Sequence, residues 1–176
     1  MGIDMSRILA KSQEELSPII ELYESLYKDI FAKYFDSQHE LFGRLKSKFK
    51  PVTDEELENI LTMTPLNLYA VAEELNKFRL NVEVLKLRIK TAESNLKNLD
   101  KTSELWVEVN SQMIDDKLLC SVYDKLILRV ESEVSFSREF IMAAKKIWDG
   151  RRQTDAVNPI SPVETSADLY DNLPIY

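Results

Sequence analysis

The chain has 176 residues, 23 of them Lys or Arg and 30 Asp or Glu, which gives a formal charge of −7 and a pI near 4.9. That balance excludes a strongly basic nucleic-acid coat, although it leaves room for a local basic stripe. Three glycines, one cysteine and one histidine exclude a many-stranded β fold, an intrachain disulfide framework, a Cys-based zinc site and most acid–base motifs.

The length suits one domain with a short appendage. The first helical run is expected over residues 13–49, with Ser12 as N-cap and Glu14 and Glu15 at the positive end of the dipole. Its stripe is Ile19, Tyr23, Leu26, Ile30, Tyr34, Leu41 and Leu45, ending near Gly43 and Pro51. Thr53-Asp54-Glu55-Glu56 reads as a capping box that opens a short helix to about Thr62. Thr64-Pro65 then predicts a restart, with Thr64 as cap and Pro65 in the first turn.

The clearest pattern follows. Leu68, Val71, Leu75, Phe78, Val82, Leu85, Ile89, Ala92, Leu96 and Leu99 are spaced alternately by three and four. This spacing keeps one apolar seam on one face and predicts coiled-coil-like packing on a second helix. The short break at 98–103 turns that helix back antiparallel, with Ser103 as its cap. The returning helix, expected over 103–149, carries Leu105, Val109, Leu119, Val122, Leu126, Val130, Val134, Ile141, Ala144 and Trp148, with Gly150 as its stop. The predicted fold is therefore all-α: a long antiparallel helical hairpin with an N-terminal helix, together occupying residues 1–152. Residues 153–176 contain four acids, three prolines and no Lys or Arg, and read as a flexible, extended tail.

Catalysis has little to stand on, and no cofactor or metal is expected. His39 reads as a solvated helix residue, Cys120 as a small core hydrophobe, and Asp115-Asp116 as charged surface because adjacent carboxylates on a helix point apart. Three basic clusters stand out. Arg44, Lys46, Lys48 and Lys50 are flanked by Phe42 and Phe49, the cation and aromatic mix of single-strand binders. Lys77, Arg79, Lys86, Arg88 and Lys90 run along the seam helix, and Lys145, Lys146, Arg151 and Arg152 end the hairpin. A solvated face or dipole compensation also accounts for each.

Ser137-Arg138-Glu139-Phe140, followed by Ala143-Ala144-Lys145-Lys146-Ile147-Trp148, resembles the C-terminal signature of phage UvsY-type recombination mediators. Leu75-Asn76-Lys77-Phe78 with Leu80 and Val84 is similar to that family's earlier helix, so the resemblance spans residues 64–152. Glu139 stands where the family has Gly. The resemblance implies a non-enzymatic homo-oligomer that holds single-stranded DNA and helps load a RecA-like recombinase, with Arg138, Lys145 and Lys146 as the first contacts.

The last residues suggest a second role. Asp168, Leu169, Tyr170, Asp171, Leu173, Pro174, Ile175 and Tyr176 combine acid, apolar and aromatic groups. They are similar to the tip with which bacterial single-strand-binding proteins recruit partners. Such a peptide would enter an apolar pocket rimmed by Arg or Lys. The functional expectation is a helical interaction protein that self-assembles and docks protein partners through hairpin and tail. Its most specific version is the mediator, and the alternative is a structural or scaffolding adaptor such as a virion component. No run approaches eighteen apolar residues and residues 1–10 lack a signal-peptide core, so no membrane partner is expected. The expected location is the cytoplasm, or the host's if phage-encoded.

Overall fold

The computed structural model describes residues 5–45 and 50–157, and the side chains of residues 16–45 and 50–153. The described residues form four α-helices, α1 (Met5–Tyr27), α2 (Lys33–Leu45), α3 (Asp54–Leu96) and α4 (Glu104–Val157), with a π-helical turn, Lys28–Ala32, joining α1 to α2. The described residues contain no strand. At 1.5 Å per residue α4 is about 80 Å long and α3 about 65 Å, so the molecule is a rod.

The α3–α4 hairpin forms as the heptad spacing predicts. All ten seam residues, Leu68 to Leu99, are buried or half-buried. At the tip the chain turns through residues 97–103, where Ser103 Oγ accepts the Trp106 amide at 3.2 Å and so caps α4. At the opposite end, the base, the capping box is intact. Thr53 Oγ1 accepts the Glu56 amide at 3.2 Å and Glu56 Oε2 accepts the Thr53 amide at 2.8 Å.

The α1–α2 pair runs parallel to α4 and antiparallel to α3. Its residues meet α4 in matching order: Glu24 with Arg129, His39 with Glu133, Phe42 with Phe140. Three clusters make the core. At the base, Val52, Leu57 and Ile60 pack on Phe140 and Ala144. In the middle, Tyr27, Phe31 and Phe35 meet Val71, Leu75, Phe78, Leu126 and Val130. Toward the tip, Val82, Leu85 and Cys120 belong to the hairpin alone.

Several boundaries differ from the sequence expectations. Helix α1 begins at Met5, so Ser12 lies inside it, and Pro18 is interior. Helix α2 continues through Gly43 to Leu45. The buried stripe of the first run is Tyr27, Phe31, Phe35 and Gln38, while Tyr23, Leu26, Ile30 and Tyr34 flank it half-buried. The π turn inserts one residue into the helical phase and carries the core from one stripe to the next. Helix α3 does not restart at Thr64-Pro65: Thr64 is buried mid-helix and Pro65 is interior and exposed. Ile60 at the base and Leu68 in the middle cluster both need the same face, and that packing offsets the hydrogen bond that proline forfeits.

Gly150 does not end α4, which continues to Val157, five residues into the segment read as tail. Arg151 bonds Asp54 and the Val52 carbonyl, and Arg152 lies 4.7 Å over the Trp148 ring. The Arg151 contacts tie the turn beyond Gly150 to the start of α3. Leu105, expected on the apolar stripe, is 53% exposed.

Candidate interaction site

The basic clusters separate into committed and uncommitted cations. Arg44 forms a bidentate pair with Glu56, at 2.7 and 2.8 Å. Its guanidinium, then the Thr53 amide, holds the Glu56 carboxyl down at about 2. The Arg44 Nε is buried with no hydrogen-bond partner. Arg44 and Arg151 thus brace the acidic N-terminus of α3, where Asp54, Glu55 and Glu56 also complement the helix dipole. Lys50 is exposed, whereas Lys46 and Lys48 lie outside the described residues, as do tail residues 168–176. On α3, Lys77, Arg79, Lys86 and Arg88 each hold an acid: Glu74, Glu131, Glu83 and Asp116.

Arg138, Lys145 and Lys146 are different. All three are exposed, and none forms an ion pair among the described residues. Residues 138 and 145 are seven apart and therefore share a face. Met142, 72% exposed, lies between them. The structure thus places an uncommitted cationic stripe with an apolar centre near the base of α4.

On the other side of α4, an aromatic and polar network fixes α2. Phe136 stacks on His39 at 4.6 Å and meets Phe42 edge-on at 4.9 Å. His39 pairs with Glu133 at 2.9 Å. Arg129 lies 3.5 Å over the Tyr27 ring and bonds Glu24. Burial, and then the Glu133 charge, push the Tyr27 phenol up to about 12. Beneath this surface the Ser137 hydroxyl donates to Gln38 Oε1 at 2.6 Å, and Gln38 Nε2 donates to the Tyr34 carbonyl at 2.6 Å. Sequence reasoning missed this buried pair, whose members lie 99 residues apart.

The second surface is at the tip. A cleft of about 550 Å³ opens between α3 and α4, lined by Val84, Leu87 and Thr91 on one helix and Leu105, Val109 and Met113 on the other. Its floor holds Asp116, buried rather than on the charged surface expected of it. The carboxylate is paired with Arg88 at 3.0 Å and accepts from Gln112 at 3.3 Å. Cys120 is buried as expected, and burial pushes its thiol up. A smaller apolar groove of about 470 Å³ runs between α1 and α4, past Leu16, Ile20 and Leu118.

Among the described residues no three His, Cys, Asp or Glu side chains converge as metal ligands. No helix among them is long and apolar enough to cross a membrane. No known protein family matches the chain, and neither a characterised protein nor a solved structure shows significant similarity to it.

Proposed function

We propose that this chain is a non-enzymatic helical interaction protein: an adaptor or scaffold that assembles with protein partners along its rod. The observation that carries this reading is the apolar surface of the distal hairpin. Leu80 and Leu87 are each 66% exposed, Leu105 lines the cleft with Leu87 and is 53% exposed, and Val107, on the opposite side of α4, is 59% exposed. Apolar clusters of that kind on a polar rod mark protein–protein contact sites. The test is affinity capture from cells that make the protein, with the chain and its Leu105→Glu/Val107→Glu variant side by side. A defined partner lost only with the folded variant supports the reading; identical capture by both refutes it.

A second reading, the mediator-like single-strand binder, is favoured by one observation. Arg138, Lys145 and Lys146 form the uncommitted cationic stripe, with Met142 offering an apolar contact. Arg44 and Arg151 do not support it, because their charges are already engaged. Fluorescence anisotropy with a labelled single-stranded oligonucleotide discriminates. The mediator reading requires binding that weakens steeply with salt and is lost when the three cations become Glu. No binding at low salt removes it.

A further inference from the structure

The tip cleft is the upper part of a groove that the N-terminal helices fill lower down. Residues 67, 74, 88 and 95 share one heptad position of α3, and residues 70, 77, 84 and 91 share another. Asn67, Ala70 and Glu74 are half-buried beside α2, while Arg88, Val84, Thr91 and Asn95 face the open cleft. The cleft is therefore an unfilled third-helix position of the bundle. A helix that fills it must bring an apolar stripe to Leu105 and Met113 and cationic flanks to the α4 rim. That rim carries Glu104, Glu108 and Asp115, none ion-paired among the described residues.

One described helix has that chemistry. The outer face of α3 exposes Leu80, Val84 and Leu87, spaced four and three, opposite its own seam. Residues 77–97 hold six basic and two acidic side chains, whereas residues 104–124 of α4 hold five acidic and one basic; four of the six cations pair within the chain, and Lys90 and Lys97 form no ion pair among the described residues. Each copy thus presents a basic apolar helix and an acidic apolar cleft.

We propose that the partner at the tip is a second copy of this chain, each α3 lying in the other's cleft to form a four-helix bundle. The π turn and α2 occupy the same side of the hairpin toward the base, so two copies overlap only at their tips, with the two α3 helices antiparallel. Leu87 then lies close to the two-fold axis, residues 77–97 of the two copies overlap, and α3 of each copy faces the acidic α4 of its partner. The resulting dimer is a longer rod with a three-helix bundle at each end. This inference rests on the interaction-protein reading and specifies its first partner.

The test is sedimentation of the full chain over a wide concentration range, with Leu80→Glu/Leu87→Glu and Glu104→Lys/Glu108→Lys variants. The expected result is a wild-type dimer that each variant weakens by about a hundredfold, with helical content unchanged, because each places like or unpaired charges in the seam. In a Cys120→Ser background, Leu87→Cys should form an interchain disulfide on oxidation, whereas Thr62→Cys, near the base, should not. A strictly monomeric wild type overturns the proposal, and so does a dimer indifferent to the Leu80/Leu87 changes or crosslinked equally through residue 62. A monomer that still captures a different protein through Leu105 and Val107 overturns the second copy while leaving the interaction-protein reading intact.

Discussion

Removing the hydroxyl of Ser137 should cost far more than the atom's size suggests. Ser137 is fully buried, Gln38 is 3% exposed, and each is the other's partner at 2.6 Å. Ser137→Ala opens almost no cavity, so packing contributes little. It leaves Gln38 Oε1 buried without a donor, and such an orphan costs about 1–3 kcal/mol. Taking about 2 kcal/mol, the melting temperature of a chain this size should fall by about 4–8 °C. Gln38→Leu should cost less, about 1 kcal/mol, because the orphaned serine hydroxyl can turn back to the carbonyl four residues earlier in α4. The double variant leaves neither orphan, so its cost should fall below the sum of the singles by about 1–2 kcal/mol. Urea unfolding followed by far-ultraviolet circular dichroism gives all four free energies. Strict additivity, or a Ser137→Ala midpoint equal to wild type, would refute the argument that this pair locks α2 to α4.

Pro65→Ala tests the continuity of α3. A proline inside a helix is about 3 kcal/mol worse than alanine, part of which is offset by its restriction of the unfolded chain, so the variant should be more stable by about 1–2 kcal/mol; a loss of stability would mean that Pro65 opens a separate helix. The depressed Glu56 carboxyl makes stability depend on acid. Its ordinary value is 4.5 and its folded value about 2, so the unfolded state takes up the proton first, and the stabilisation present above pH 4.5 is lost as pH falls toward 2. Glu56→Gln should flatten that part of the pH–stability curve, and an unchanged curve would sink the assignment. Native Cys120 should react with a thiol reagent far more slowly than after unfolding, since burial raises its thiol and hides it; rapid stoichiometric reaction of the native chain would contradict this.

The hairpin was legible because its information is local and periodic. Ten residues from Leu68 to Leu99 repeat at heptad spacing, and each reaches the seam. Punctuation was less reliable. Ser12, Thr64-Pro65 and Gly150 are ordinary stop and start signals, yet α1, α3 and α4 run through them. At Pro65 and Gly150, contacts from other helices outweigh the local preference. The π turn at Lys28–Ala32 has no composition signal and moved the core onto Tyr27, Phe31 and Phe35. At the candidate site, Arg44 was legible as a cation but its commitment to Glu56 depends on where α2 meets α3. The Arg151–Asp54 pair spans 97 residues, a distance no local spacing encodes. Two signals were available. Asp116 lies seven residues from both Val109 and Tyr123, a seam position, and Leu80, Val84 and Leu87 form a second short stripe off the main one.

Among the described side chains, those of α1 and α2 meet α4 no nearer the tip than Leu118, so the described packing thins toward the tip. A two-helix arm bends more readily than the three-helix body that anchors it, so small rotations near Tyr27 and Tyr123 become large excursions at Leu99. With about 25 Å of arm beyond Val82, a tilt of about 10° carries the tip about 4 Å sideways. In that geometry the thick end holds its orientation while the thin end sweeps the larger arc.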